Sequence, residues 1–303
     1  MRRDVTFESE GAELSAWFYS PDSSPPWPLI VMAHGFSATK KMVADRYAEI
    51  FTEARMAVLL YDHWGFGASG GEPRHQVNPW VQTRGYRDAI AFATTLENVD
   101  PARIAVWGDS YSSGAALVVA ALDSRVGALV VQVPALGEES PSDDPDGSAR
   151  ESMKQMVRTG SVEPTEDEIR GPMPVVWDDQ NRRPSALKPE TAFRWFNGYG
   201  TRSGTNWTNE VTVVRPKSPQ WQPGLCATDV SCPALFVVSP DDEMPRSAPA
   251  VSRDAFEKLS GPKEWVEIPG GHFGLLYYPS EAFDRASSAQ SRFLMETLLS
   301  EDE

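Results

Sequence analysis

Three residues far apart in the chain have the types needed to cleave an acyl bond: Ser110, His272 and an aspartate close to position 242. A serine hydroxyl attacks a carbonyl only after a base takes its proton, and the base needs an acid to orient it. Ser110 stands in Arg103-Ile-Ala-Val-Trp-Gly-Asp-Ser-Tyr-Ser-Ser-Gly114, where an apolar run stops at Gly108 and small residues surround the serine. A strand that turns directly into a helix lifts such a hydroxyl above the sheet edge, and small neighbours leave room for strained backbone. The usual spacing is G-x-S-x-G; Ser112 fills the second glycine position here and makes the turn more crowded. A serine that merely caps a helix would leave the same short motif. Of the four histidines, His34, His63, His75 and His272, only the last follows Ser110, within Pro269-Gly-Gly-His-Phe-Gly274. For the acid, Ser239-Pro-Asp-Asp-Glu-Met-Pro245 offers two neighbours. Two loop residues counted on from Ser239 lead to Asp242, with Asp241 second and Glu138 or Glu139 a third choice. The tetrahedral intermediate also requires two N–H donors. The amide of Tyr111, directly after the serine, and that of Phe36, in the turn His34-Gly35-Phe36, are the expected pair, with the His34 ring pinning the turn.

These residues need a scaffold that brings strand ends together. Val5 to Phe7 and Leu14 to Tyr19 read as two strands about a turn at Glu10-Gly11. Leu29 to Ala33, Ala57 to Tyr61, Ile104 to Trp107, Ala128 to Val133, Pro233 to Val238 and Glu264 to Ile268 are short apolar runs of the kind that buried strands produce. Between them, helices are expected at about 42–54, 79–96, after Ser110, at 248–259 and at 281–299. Strands alternating with helices imply a largely parallel sheet covered on both faces, with its site beyond the C-terminal strand ends. His34-Gly35, Asp62, Ser110, Asp241-Asp242 and Gly271-His272 sit at those ends. Gly65, Gly67, Gly70 and Gly71 mark a loop and lack the spacing of a dinucleotide cradle. The pattern breaks between Pro134 and Ser231, too long a stretch for an ordinary connection. A core of 1–133 and 232–303 interrupted by an irregular inserted lid, 134–231, with one helix around Ala149 to Arg158, is the expected division. Trp177, Trp195, Phe196, Tyr199, Trp207 and Trp221 fall within 45 residues of the insert. Their rings need a surface to cover, and Trp195 and Trp207 are expected to wall a substrate pocket over Ser110.

The net charge of −15 disfavours nucleic-acid and anionic-membrane partners, and no apolar run approaches a membrane span. No secretory signal is visible at Met1-Arg2-Arg3-Asp4-Val5, and two cysteines, Cys226 and Cys232, make neither a disulfide framework nor a zinc site. A cytoplasmic protein with a small-molecule substrate is expected, and a homo-oligomer is allowed.

Val31-Met-Ala-His-Gly-Phe36, Tyr61-Asp-His-Trp-Gly-Phe-Gly-Ala-Ser-Gly-Gly-Glu-Pro73 and Asp100-Pro-Ala-Arg-Ile-Ala-Val-Trp-Gly-Asp-Ser110 resemble the α/β-hydrolase branch that holds dienelactone-hydrolase-like enzymes, X-Pro-peptidase-like hydrolases and fungal polyketide transferases. The resemblance covers nearly the whole length. It implies an α/β-hydrolase fold with a mostly parallel eight-stranded sheet, and a nucleophile, acid and histidine in the order Ser110, Asp242, His272. The implied activity, without metal or organic cofactor, is hydrolysis of an ester, thioester or lactone of a mostly apolar small molecule. An acyltransferase using the same residues is the alternative, and a hydrolase fold used only for binding is a remoter one.

Overall fold

A computed structural model describes residues 1–299. Its main sheet runs β1 (Arg2–Ser9), β2 (Ala12–Tyr19), β4 (Ala57–Tyr61), β3 (Trp27–Ala33), β6 (Val99–Asp109), β7 (Val126–Gln132), β10 (Ala234–Val238), β11 (Lys263–Glu267) from edge to edge. β1 pairs antiparallel with β2, and β2 antiparallel with β4; all other pairs in the sheet are parallel. This is the mostly parallel eight-stranded α/β-hydrolase sheet that the resemblance implies.

β3, β4 and β10 are apolar at every position because both faces of the sheet are covered. Leu29, Val31 and Ala33 of β3 join a core with Ile104 and Val106 of β6, beneath helices α2 (Pro79–Ala93), α3 (Tyr111–Ala120) and α6 (Pro249–Lys258). The alternate residues Ile30, Met32, Ala105 and Trp107 face the opposite core, closed by α1 (Ala44–Glu53) and α8 (Glu281–Leu298). Trp107, fully buried, satisfies its indole N–H on the side-chain oxygen of Gln290 from α8 at 2.7 Å. Asn78 caps α2 by accepting the N–H of Trp80, with Pro79 at the first helical position, where its missing donor costs nothing.

The segment between β7 and β10 is more regular than its composition suggests. It holds α4 (Ser148–Thr159), β8 (Ile169–Met173), α5 (Glu190–Gly200) and β9 (Val211–Val214). β8 and β9 pair antiparallel, and β9 pairs in parallel with β5 (Gln76–Val77), which lies between β4 and α2. A four-residue turn of helix, α7 (Gly271–Gly274), follows β11. No helix among the described residues is long and apolar enough to cross a membrane, and no cluster of three His, Cys, Asp or Glu among them is arranged to hold a metal ion.

Candidate active site

β6 delivers Ser110 to the start of α3 with φ 50° and ψ −119°, a conformation that non-glycine residues adopt only where the surroundings enforce it. The Ser110 N–H donates to Gln132 O on β7 (2.9 Å), and its carbonyl accepts from Ser113 and Ala135. Gly108 must be glycine, since a Cβ there would lie 2.7 Å from the Ser112 carbonyl oxygen. Ser112, the departure from the usual motif, is buried. Its Oγ accepts the N–H of Asp109 at 3.0 Å and lies 2.9 Å from Asp109 O and 3.1 Å from Ala33 O, to either of which it can donate. The added hydroxyl ties the turn to the end of β3.

His272 enters from α7, after β11. Its Nε2 lies 2.8 Å from Ser110 Oγ, and its Nδ1 lies 2.8 Å from Asp242 Oδ2, at the end of β10. Both side chains are almost wholly shielded from solvent. With Nδ1 protonated towards the carboxylate, Nε2 is left to accept the serine proton. Asp242 Oδ1 accepts the N–H of Met244 at 2.9 Å, which fixes the carboxylate plane. The neighbouring Asp241 points elsewhere, accepting the Ser239 hydroxyl and the Gly270 N–H. These bonds hold its carboxyl down to about 2. Glu138 lies 3.8 Å from Arg246 and is largely exposed, away from the imidazole.

The turn after β3 passes so close to the serine that a Cβ at Gly35 would lie 3.1 Å from Ser110 Cβ. The backbone N–H groups of Phe36 and Tyr111 have no acceptor among the described residues. His34 braces this turn: its Nδ1 lies 2.9 Å from Gly35 O and its Nε2 accepts the N–H of His63 at 3.2 Å. Burial pushes its pKa down, so the ring is neutral. Farther along, Asp62 accepts the backbone N–H of Lys40 at 2.7 Å and its ammonium at 2.6 Å. This buried ion pair fastens the 34–40 turn to the end of β4.

Ser110 and His272 open into a narrow cleft that is continuous with solvent. Its walls are Phe36, Leu187, Trp195, Phe196, Met244 and Leu276. Trp195 lines the cleft, and Trp207 does not. Trp207 packs behind Phe196, with ring centroids 5.6 Å apart, and against Gly200, whose missing Cβ leaves room for the indole. Nor do Trp177 and Trp221 reach the cleft: an Arg183 guanidinium covers the first, and the second packs edge-on against Trp80. Periodicity shows which face of a segment is apolar but not which body that face meets.

Sequence reasoning passed over two groups. Asp109, beside the serine, lines the cleft, and burial pushes its carboxyl up to about 7 against the lowering influence of His272. Glu243 accepts the backbone N–H of His272 at 2.8 Å. The only signal for either was adjacency to Ser110 and Asp242.

The family described as X-Pro dipeptidyl-peptidase (S15 family) matches residues 10–274. A protein named thiohydrolase from Eupenicillium brefeldianum is 28% identical over 285 residues, 91% of this chain and 88% of its own length. The polyketide transferase af380 of Aspergillus fumigatus is 28% identical over 98% of this chain and 99% of its own. The solved structure of the alpha/beta hydrolase GrgF from Penicillium sp. sh18 shares the fold, with a TM-score of 0.74 at 24% identity over 99% of each chain. With a family match that runs from the turn after β1 to the end of α7, the chain belongs to the S15 X-Pro dipeptidyl-peptidase family and is an α/β-hydrolase enzyme.

Proposed function

We propose that the chain is a serine hydrolase that cleaves an ester, thioester or lactone of a mostly apolar small molecule through an acyl-enzyme. One observation carries this reading: the unbroken hydrogen-bonded line from Ser110 through His272 to Asp242 at the floor of an apolar cleft. His272 Nε2 takes the proton from Ser110 Oγ as the oxygen attacks the acyl carbon. Asp242 keeps the imidazole in the required tautomer and stabilises its charged form. The amides of Phe36 and Tyr111 receive the oxyanion, and the imidazolium then protonates the departing alcohol or thiol. Water, deprotonated by the same histidine, attacks the acyl-serine, and the acid leaves. The segment 134–231 acts as a lid: its α5 supplies Trp195 and Phe196 to the acyl wall.

Dipeptide hydrolysis is less well supported by the cleft. A substrate α-ammonium calls for an ionised carboxylate, and burial disfavours ionisation of Asp109, the acid that lines the cleft. Acyl transfer is the second reading, supported by the full-length relative named a polyketide transferase. It uses the same steps, with an alcohol or amine in place of water. Labelling by a fluorophosphonate, its loss in Ser110→Ala, and turnover of a panel of esters, thioesters, lactones and X-Pro-p-nitroanilides with and without trial acceptors test the reading. Full turnover by a folded Ser110→Ala protein would overturn it, and transfer product exceeding hydrolysis would select the second reading.

A further inference from the structure

Glu243 reaches two places at once. Its Oε2 accepts the backbone N–H of His272 at 2.8 Å, and its Oε1 accepts the hydroxyl of Thr191. Thr191 is the second residue of α5, the helix whose Trp195 and Phe196 wall the cleft. We propose that Glu243 is a positioning residue that ties the backbone of His272 to the pocket helix, so that the fit of the acyl group against α5 is transmitted to the placement of the imidazole. The proposal rests on the serine-hydrolase reading above.

The local backbone is built around this carboxylate. Gly271 has φ +71°, and a Cβ on it would lie 2.7 Å from Glu243 Oε2, so the carboxylate occupies the space that a side chain at 271 would fill. Gly270 also has a positive φ, of 144°. Two consecutive glycines give the histidine's approach little stiffness of its own. A hydrogen bond to the first amide after them supplies what the sequence lacks. Farther along α5, Trp195 Nε1 donates to Leu276 O at 2.9 Å and the Tyr199 hydroxyl accepts the N–H of Tyr278 at 2.8 Å. The helix is thus fastened at three points along its length to the strand-end segments that present the imidazole, and Glu243 is the point that bonds His272 itself. Its neighbour Met244 lines the cleft, so contact with an acyl chain bears on both ends of the bridge.

The two ends of the bridge are separable by mutation. Glu243→Ala frees both; Thr191→Val frees α5 alone. In Glu243→Gln the amide oxygen can accept from His272 while the NH2 donates to Thr191, which preserves the link. The assay is hydrolysis of p-nitrophenyl acetate and p-nitrophenyl octanoate by the full chain, with melting temperatures alongside. A displacement of the imidazole by about 1 Å costs on the order of 100-fold in rate. Glu243→Ala should therefore lower kcat on acetate about 10- to 100-fold with little change in KM, and Glu243→Gln should return it to within about threefold of wild type. Thr191→Val should keep kcat on acetate and shift the octanoate-to-acetate preference by about threefold or more. A Glu243→Ala protein with a lowered melting temperature and wild-type kcat would overturn the proposal, as would a folded Glu243→Gln protein with no recovery. Should Glu243→Ala not fold, Thr191→Val decides: an unchanged ester preference overturns the coupling. Ser110→Ala, assayed in parallel, keeps the two readings apart, because activity in that variant refutes the serine mechanism whatever Glu243 does.

Discussion

Asp242→Asn should reduce kcat by about 10³- to 10⁴-fold, and the size follows from the two donors that the carboxylate serves. Oδ2 faces His272 Nδ1 and Oδ1 faces the Met244 N–H, at 2.8 and 2.9 Å. An asparagine has one oxygen for these two donors. If the oxygen stays on Met244, the NH2 faces Nδ1, the imidazole carries its proton on Nε2, and it no longer accepts from Ser110. If the oxygen turns to Nδ1, the NH2 confronts a buried N–H, leaving a donor unpaired at a cost of about 1–3 kcal/mol. At about 2 kcal/mol, only about 3% of the enzyme would hold the productive orientation. Loss of the negative charge behind the developing imidazolium removes a charge-assisted bond as well, worth about 1.5–3 kcal/mol. Together these come to about 3.5–5 kcal/mol, which overlaps the predicted range. Asp241→Asn is the control. Its Oδ1 accepts from both Ser239 and Gly270, and an amide oxygen can keep both bonds. Its kcat should fall by less than about fivefold. Steady-state kcat on p-nitrophenyl butyrate, with melting curves to show that both variants fold, makes the comparison. Equal losses, or a larger loss in Asp241→Asn, would refute the argument from the shared carboxylate.

Two further outcomes are expected. Burial raises the Asp109 carboxyl from an unfolded value of about 4 to about 7, so the native state binds the extra proton between these limits. The stability it contributes is complete below about pH 4 and is lost as the pH rises through about 7. The melting temperature of Asp109→Asn relative to wild type should therefore climb from about pH 5 to about pH 8, and a difference independent of pH would refute the assignment. Trp195→Ala should change the preference between short and long acyl chains by about 1–3 kcal/mol, whereas Trp207→Ala should lower the melting temperature and leave the preference alone. Equal shifts in preference would show that both rings meet the substrate.

The sheet was legible because strands covered on both faces must be apolar at every position, and runs such as Ala57 to Tyr61 have no competing explanation between helical patterns. The ends of those strands could be read less well: β6 begins at Val99, five residues before the apolar run, through a polar stretch that backbone pairing with Trp27 holds extended. α5 escaped notice because Asn197, Gly198 and Gly200 are poor helix formers. Its aromatic face packs on α7 and the segment after it, and tertiary contact outweighs propensity there. β8 contains Gly171 and Pro172, which read as a turn, and β5 has only two residues. At the site, the histidine stood out because only one follows Ser110. Which aspartate meets it depended on a residue count, because adjacent side chains in a loop carry no periodic signal. Asp109 and Glu243 were invisible for a different reason: burial and a partner 29 residues away are properties of the folded chain.

The small sheet also limits recombination between relatives. Gln76 and Val77 pair with Thr212 and Val213, His75 O accepts the Thr212 N–H at 2.9 Å, and Asn78 donates to Val162 O at 2.8 Å while capping α2. The segment after β7 therefore does not end where its own sequence ends; four residues from the other side of β6 belong to its fabric. A chimera that exchanges only residues 134–231 would import β9 without its own parallel partner β5 and strip α2 of the neighbour that orients its cap. A crossover design that moves residues 75–78 together with the segment keeps both contacts.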